Sequence, residues 1–160
     1  MKRIVHLKRR IKKKTNYKKR LPLLKSEKTR LVIRKSLSNI SIQFIKFNPN
    51  GDETLASAVS TELKKIGWNK TGNIPAAYLT GLLAGKKARE KNINEAVLDL
   101  GLQTSTKGSR LYAALKGVID SGINVPHSKD ILPSEERIRG EHISEELVKL
   151  FEDVKKKIGV

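Results

Sequence analysis

The chain has 160 residues, 34 Lys and Arg against 16 Asp and Glu, a net charge of +18 and no cysteine. Lack of cysteine excludes a disulfide framework, a thiol nucleophile and Cys-ligated zinc, and no apolar run approaches the roughly 20 residues that would span a bilayer. The first 35 residues hold 16 of the bases and one acid, Glu27, whereas residues 36–160 carry 18 bases and 15 acids.

The excess charge is therefore a local device on a nearly balanced body. Such a concentration of cations most commonly serves a polyanion, above all nucleic acid. Each Lys or Arg that neutralises a phosphate releases condensed counterions, so binding of this kind weakens as salt rises. A chain of this length predicts one domain with a single core. With 4% aromatic residues, that core is expected to be aliphatic.

Residues 1–20 carry eleven bases and no acid. Charge this dense predicts an extended or only partly helical arm when free. It does not read as a secretory signal, since no apolar stretch follows the bases, and with no Ser it resembles a mitochondrial transit peptide only weakly. Ile4, Leu7 and Ile11 recur at helical spacing and are expected to anchor one face once phosphate screens the bases. Lys8, Arg9, Arg10, Lys12, Lys13, Lys14, Lys18, Lys19, Arg20, Lys25 and Lys28 are candidate phosphate contacts. Tyr17 is the arm's one aromatic. It either stacks on an unpaired base, a contact of about 1–3 kcal/mol, or packs on the domain.

After Leu21-Pro22 the texture changes. Arg30–Lys35 reads as a short strand, with Arg30 and Arg34 presenting charge, and Ser36–Asn39 as a turn. Asn39–Phe44 alternates with period two, placing Ile40, Ile42 and Phe44 on one face. The phase slips at Ile45 and Phe47, which predicts a bulge or burial on both faces. Asn48-Pro-Asn-Gly51 predicts a turn, and Thr54–Ser60 a third strand of an antiparallel meander.

Asn73 predicts the cap of a helix over 74–91, with Pro75 in its first turn. Ile74, Tyr78 and Leu82 form an apolar stripe beside Ala77, Gly81, Ala84 and Ala88, small residues expected to admit a close approach to a sheet. Glu95–Leu100 reads as a strand. Leu111, Ala114, Leu115, Val118 and Ile119 mark a second helix, stopped by Gly122. Residues 123–142 read as irregular, with Pro126 and Pro133 as breakers. Ser144 opens a last helix with Glu145 and Glu146 in its first turn and Lys155, Lys156 and Lys157 in its last. Its buried face is Leu147, Leu150, Phe151, Val154 and Ile158. The order predicts one α/β domain with a mixed sheet, a meander plus βα units. The divisions are 1–29 as basic arm, 30–143 as α/β domain, and 144–160 as a C-terminal helix packed on it.

Chemistry-bearing motifs are sparse. Gly81–Lys87 imitates a phosphate loop, but three residues rather than four separate its glycines, and Lys87 stands where Ser or Thr would hold magnesium. His6, His127 and His142 show no metal-ligand spacing; His127, beside Pro126, is a candidate for a phosphate or base. Asp99 and Asp120 are the acids a two-metal nuclease would use, yet they do not make such a site. Lys107-Gly108-Ser109-Arg110 lies where a helix begins, and free amides with the dipole's positive end favour phosphate there. A cap with incidental charges is the plainer reading, and the basic context favours binding by Lys107 and Arg110.

Several strings together resemble the ribosomal large-subunit protein eighteen family. They are Tyr17, Arg20, Leu24, Ser26 and Arg30–Arg34, then Gly72–Lys86, Leu98–Gly101, Gly108–Arg110 and Val125–His127. The ordered succession runs from the arm to Ile143. Gly72–Lys86 resembles the archaeal and eukaryotic branch, and the sequence continues only briefly past its last helix, favouring the archaeal type. The resemblance implies a ribonuclease-H-like topology without the nuclease's catalytic acids. It further implies binding to 5S ribosomal RNA in the central protuberance, contact with 23S ribosomal RNA and neighbouring ribosomal proteins, and a place on the cytoplasmic ribosome. No catalysis, cofactor, metal, membrane or small-molecule substrate is expected. A metal-dependent nuclease of similar topology and a general nucleic-acid-binding protein remain the alternatives.

Overall fold

A computed structural model of the chain describes residues 7–159. Two helices occupy the arm, α1 (Lys8–Ile11) and α2 (Tyr17–Lys25); the meander follows as β1 (Arg30–Lys35), β2 (Ile40–Lys46) and β3 (Glu53–Val59). A 3₁₀ segment at Ser60–Ile66 leads to α3 (Ile74–Arg89), β4 (Val97–Asp99) and α4 (Arg110–Asp120). A short 3₁₀ turn at Lys129–Ile131 precedes α5 (Glu135–Arg139) and α6 (Glu145–Ile158).

The sheet runs β3-β2-β1-β4. β1 pairs antiparallel with β2, Leu31 opposite Phe44 and Ile33 opposite Ile42, and parallel with β4, Leu31 opposite Leu98. This is the expected meander extended by a parallel βα unit. The register between β2 and β3 shifts between Phe44 and Ile45, where the alternation breaks in the sequence. Period two sends Leu31, Ile33, Ile40, Ile42, Phe44, Ala56 and Ala58 into one buried cluster with α3 and α4. The other face carries Arg30, Val32 and Arg34 from β1.

Asn73 caps α3, its Oδ1 accepting from the Ala76 amide at 2.9 Å. The small residues do permit a close approach, but at Gly81 the partner is a helix rather than a sheet. A Cβ on Gly81 would lie 2.2 Å from the Ala114 carbonyl oxygen, and one on Gly117 2.2 Å from that of Tyr78. Two glycines thus let α3 and α4 touch backbone to backbone. The Gly81–Lys87 string lies inside α3, where its amides serve the helix and leave none for phosphate.

α6 is capped by Ser144, whose Oγ accepts from the Leu147 amide at 3.3 Å. It buries Leu147, Phe151, Val154 and Ile158, and the Phe151 ring packs on Tyr78 and edge-on to Trp68, with centroids 5.7 and 6.4 Å apart. Leu150, expected on this face, is exposed: it stands one residue off the stripe. Residues 123–142 are less irregular than read, since a 3₁₀ turn and α5 occupy part of them.

Candidate nucleic-acid interface

The cations fall into two groups, and sheet register separates them. Arg30, Val32 and Arg34 share a face of β1, and Val32 is the parallel partner of Asp99 on β4. The flanking guanidiniums therefore converge on one carboxylate. Arg30 Nη1 donates to Asp99 Oδ2 at 3.0 Å, Arg34 Nη2 to Oδ1 at 3.1 Å, and the Gly101 amide to Oδ1 at 2.9 Å. At the same end of the sheet, the turn after β2 brings up Asp52, whose Oδ2 accepts from Arg30 Nη2 at 2.6 Å and Arg20 Nη2 at 2.8 Å.

The expectation that Arg30 displays its charge is thereby corrected. Its side chain is 5% exposed and spans two carboxylates. Burying a guanidinium is tolerable only with such pairing, and removing one partner of a buried pair costs about 3–5 kcal/mol. Arg34 is half-buried and also donates Nη1 to the Ile33 carbonyl. Arg110 turns back on the domain, its Nη1 donating to the Gly72 and Leu37 carbonyls. These three arginines hold the fold.

The arm is the opposite case. Lys8, Arg9, Arg10, Lys12, Lys13, Lys14, Lys18, Lys19 and Lys25 are exposed, and among the described residues none pairs with a carboxylate; Arg9 Nε donates to Thr15 Oγ1 at 2.9 Å. Lys28 meets Glu95 at 2.7 Å with both side chains about half exposed, a surface pair worth at most about 1 kcal/mol and easily exchanged for phosphate. Leu7 and Ile11 are exposed and anchor nothing among the described residues, while Ile4 and His6 lie outside them.

α2 was hidden by Pro22, which reads as a breaker. The helix continues through it to Lys25, with Asn16 Oδ1 capping the Lys19 amide at 3.2 Å. Asn16 was the available signal. α2 buries no residue fully, so its seat on the body rests on partly buried Leu23 and Leu24 and on the Arg20–Asp52 link. Tyr17, at its first position, is half-buried beside a hollow lined also by Arg10, Lys13 and Leu102.

The Lys107 loop is less open than its sequence implies. The Gly108 amide donates to the Ile131 carbonyl at 3.0 Å and the Ser109 amide to that of Thr106 at 3.3 Å, so neither is free for phosphate. Ser105 Oγ bonds the Tyr112 hydroxyl. Lys107 itself remains exposed. His127 is exposed too, its Nδ1 donating to the Val125 carbonyl at 2.7 Å.

The acids weighed for catalysis have structural occupations. Both Asp99 oxygens carry guanidinium partners, and Asp120 accepts from the Tyr78 hydroxyl at 2.8 Å and meets Lys116 at 3.3 Å. Burial, and then the bond to Asp120, push the Tyr78 phenol well above its ordinary value. Glu62 shows the reverse balance: burial alone would raise it, but the Lys87 ammonium at 2.6 Å and the Val59 amide hold it below the usual range. Among the described residues no three His, Cys, Asp or Glu form a group able to hold a metal ion, and no helix is long and apolar enough to cross a membrane.

A mixed-sheet α/β body carries an arm whose cations, among the described residues, lack a carboxylate partner except at Arg20 and Lys28, an arrangement suited to a polyanion. The family model described as "Ribosomal large subunit proteins 60S L5, and 50S L18" matches residues 2–96 and 86–128. The chain is 57% identical over 150 residues to the large ribosomal subunit protein uL18 of Korarchaeum cryptofilum, covering 93% of this chain and 77% of that one. It is 53% identical over 142 residues to the protein of the same name from Natronomonas pharaonis, covering 88% and 77%. To that of Methanococcoides burtonii it is 50% identical over 160 residues, covering 96% and 92%. The chain belongs to this family, whose members are ribosomal proteins rather than enzymes.

Proposed function

We propose that the chain binds 5S ribosomal RNA and helps attach it to the large subunit in the central protuberance of the cytoplasmic ribosome. There it also touches 23S ribosomal RNA and neighbouring large-subunit proteins. In this reading residues 1–29 act as the RNA-binding arm, 30–143 as the body that positions it, and 144–160 as a helix that completes the body. Family membership supports the subunit. The observation that carries the RNA reading is the set of exposed arm cations without a carboxylate partner among the described residues.

Phosphates take the place of the missing acids. Lys12, Lys13, Lys14, Lys18 and Lys19 neutralise the backbone, and RNA shape with unpaired bases supplies selectivity. The test is binding of 5S RNA at near-physiological salt, against an unrelated folded RNA of equal length and duplex DNA. Selective binding to 5S RNA is expected. Equal binding to all three would reduce the arm to a general polyanion binder and overturn the assignment.

A further inference from the structure

A groove of about 770 Å³ runs between α2 and the end of β4 with the loop of residues 100–105 that follows it, a size within the roughly 300–1,000 Å³ of small-ligand sites. Lys18 and Lys19 line it from α2, and Leu100, Leu102 and Thr104 from the loop. Leu102 is 56% exposed and also lines the neighbouring hollow of about 390 Å³ beside Tyr17. A single exposed leucine means little by itself. This one stands in a cationic setting on a loop fixed at both ends.

On one side of Leu102, Asp99 is clamped by Arg30 and Arg34, and Gly101 turns at φ +61° beneath the Arg34 guanidinium. On the other, Gln103 acts as a substitute strand residue. It accepts from the Lys35 amide at 3.1 Å and donates to the Lys35 carbonyl at 2.8 Å. The facing wall, α2, is tied to the sheet through Arg20 and Asp52. The loop wall is therefore held by the fold before any ligand arrives, which lowers the ordering cost of binding.

We infer that this groove receives one unpaired, unstacked base of the bound RNA, with Leu102 as its apolar platform and Lys18 and Lys19 on the adjoining phosphates. Charge complementarity selects a nucleotide over an apolar peptide: the rim is cationic and the one carboxylate lining the groove, Asp99, is already paired with two arginines. The inference rests on the RNA reading above and adds the kind of nucleotide that is held.

A platform contact and a phosphate contact differ in salt dependence, because only the latter releases counterions. Leu102→Ser is expected to weaken 5S RNA binding about fivefold to tenfold at every salt concentration with an unchanged salt slope. It should also expose one unpaired base to chemical modification that the parent chain protects. Leu102→Phe should retain affinity and protection. Since Leu102 is mostly exposed, neither change threatens folding. Unchanged affinity and footprint in Leu102→Ser, beside a parent that binds, would overturn the groove alone. A parent that fails to bind 5S RNA would overturn the RNA reading and the groove with it.

Discussion

The arm and the first strand are adjacent in sequence and equally cationic in kind, yet their charges do opposite work. On β1, Arg30 spans Asp52 and Asp99 and Arg34 closes on Asp99; in the arm, Lys12, Lys13 and Lys14 stand exposed, with no carboxylate partner among the described residues. A basic residue is thus available to RNA only where the fold has not already spent its charge. Net charge cannot make that distinction. Register across the sheet can.

The comparison would break most visibly at Arg30. Arg30→Ala leaves Asp99 buried with one fewer partner, and should destabilise the RNA-free protein by about 3 kcal/mol, read as a lower midpoint in urea. A loss below about 0.5 kcal/mol would place Arg30 among the surface charges instead.

Tyr78 sharpens the description of the body. Tyr78→Phe removes a buried hydrogen bond and should cost about 1 kcal/mol, with RNA binding unaffected. It also carries a pH signature. A phenol whose value is raised on folding contributes stability that is present below its unfolded value of about 10 and lost as pH rises beyond it. Between about pH 9 and about pH 11 the parent should lose more stability than Tyr78→Phe. Equal losses would show that Tyr78 does not drive the alkaline decline.

Asp52 sits where the two regions meet, and its predicted sign is unusual. Simple electrostatics says that removing an acid beside a cationic arm strengthens RNA binding. If Asp52 instead seats α2 through Arg20, Asp52→Asn should weaken 5S RNA binding by about threefold to fivefold under conditions where the protein stays folded, since Asp52 also partners buried Arg30, and Asp52→Glu should restore it. Tighter binding by Asp52→Asn would show that α2 needs no such tie.

Much of the body was legible in the sequence because its signals are local. Period two gave the buried face of β2, the phase slip at Ile45 marked the bulge, and Asn73 and Ser144 marked helix starts. α2 is hard to read from the sequence because Pro22 lies inside it and its one local signal is the cap at Asn16. Gly81 signals a need for space in the sequence, but not that its partner is Ala114 of α4, 33 residues away, rather than a sheet. The fate of Arg30, Arg34 and Arg110 was hidden for the same reason: a guanidinium's partner is decided by which strand or loop arrives beside it. Leu102 gave no sequence signal, because an exposed leucine matters only once the groove around it exists.

The most direct test is one variant, Lys12→Ala with Lys13→Ala and Lys14→Ala, read twice. Removing three phosphate contacts should flatten the salt dependence of 5S RNA binding by about 2 in slope, at about 0.7 per contact, while the urea midpoint of the free protein stays within about 0.5 kcal/mol of the parent. An unchanged salt slope, or a marked loss of stability, would contradict the division into free arm charges and committed strand charges.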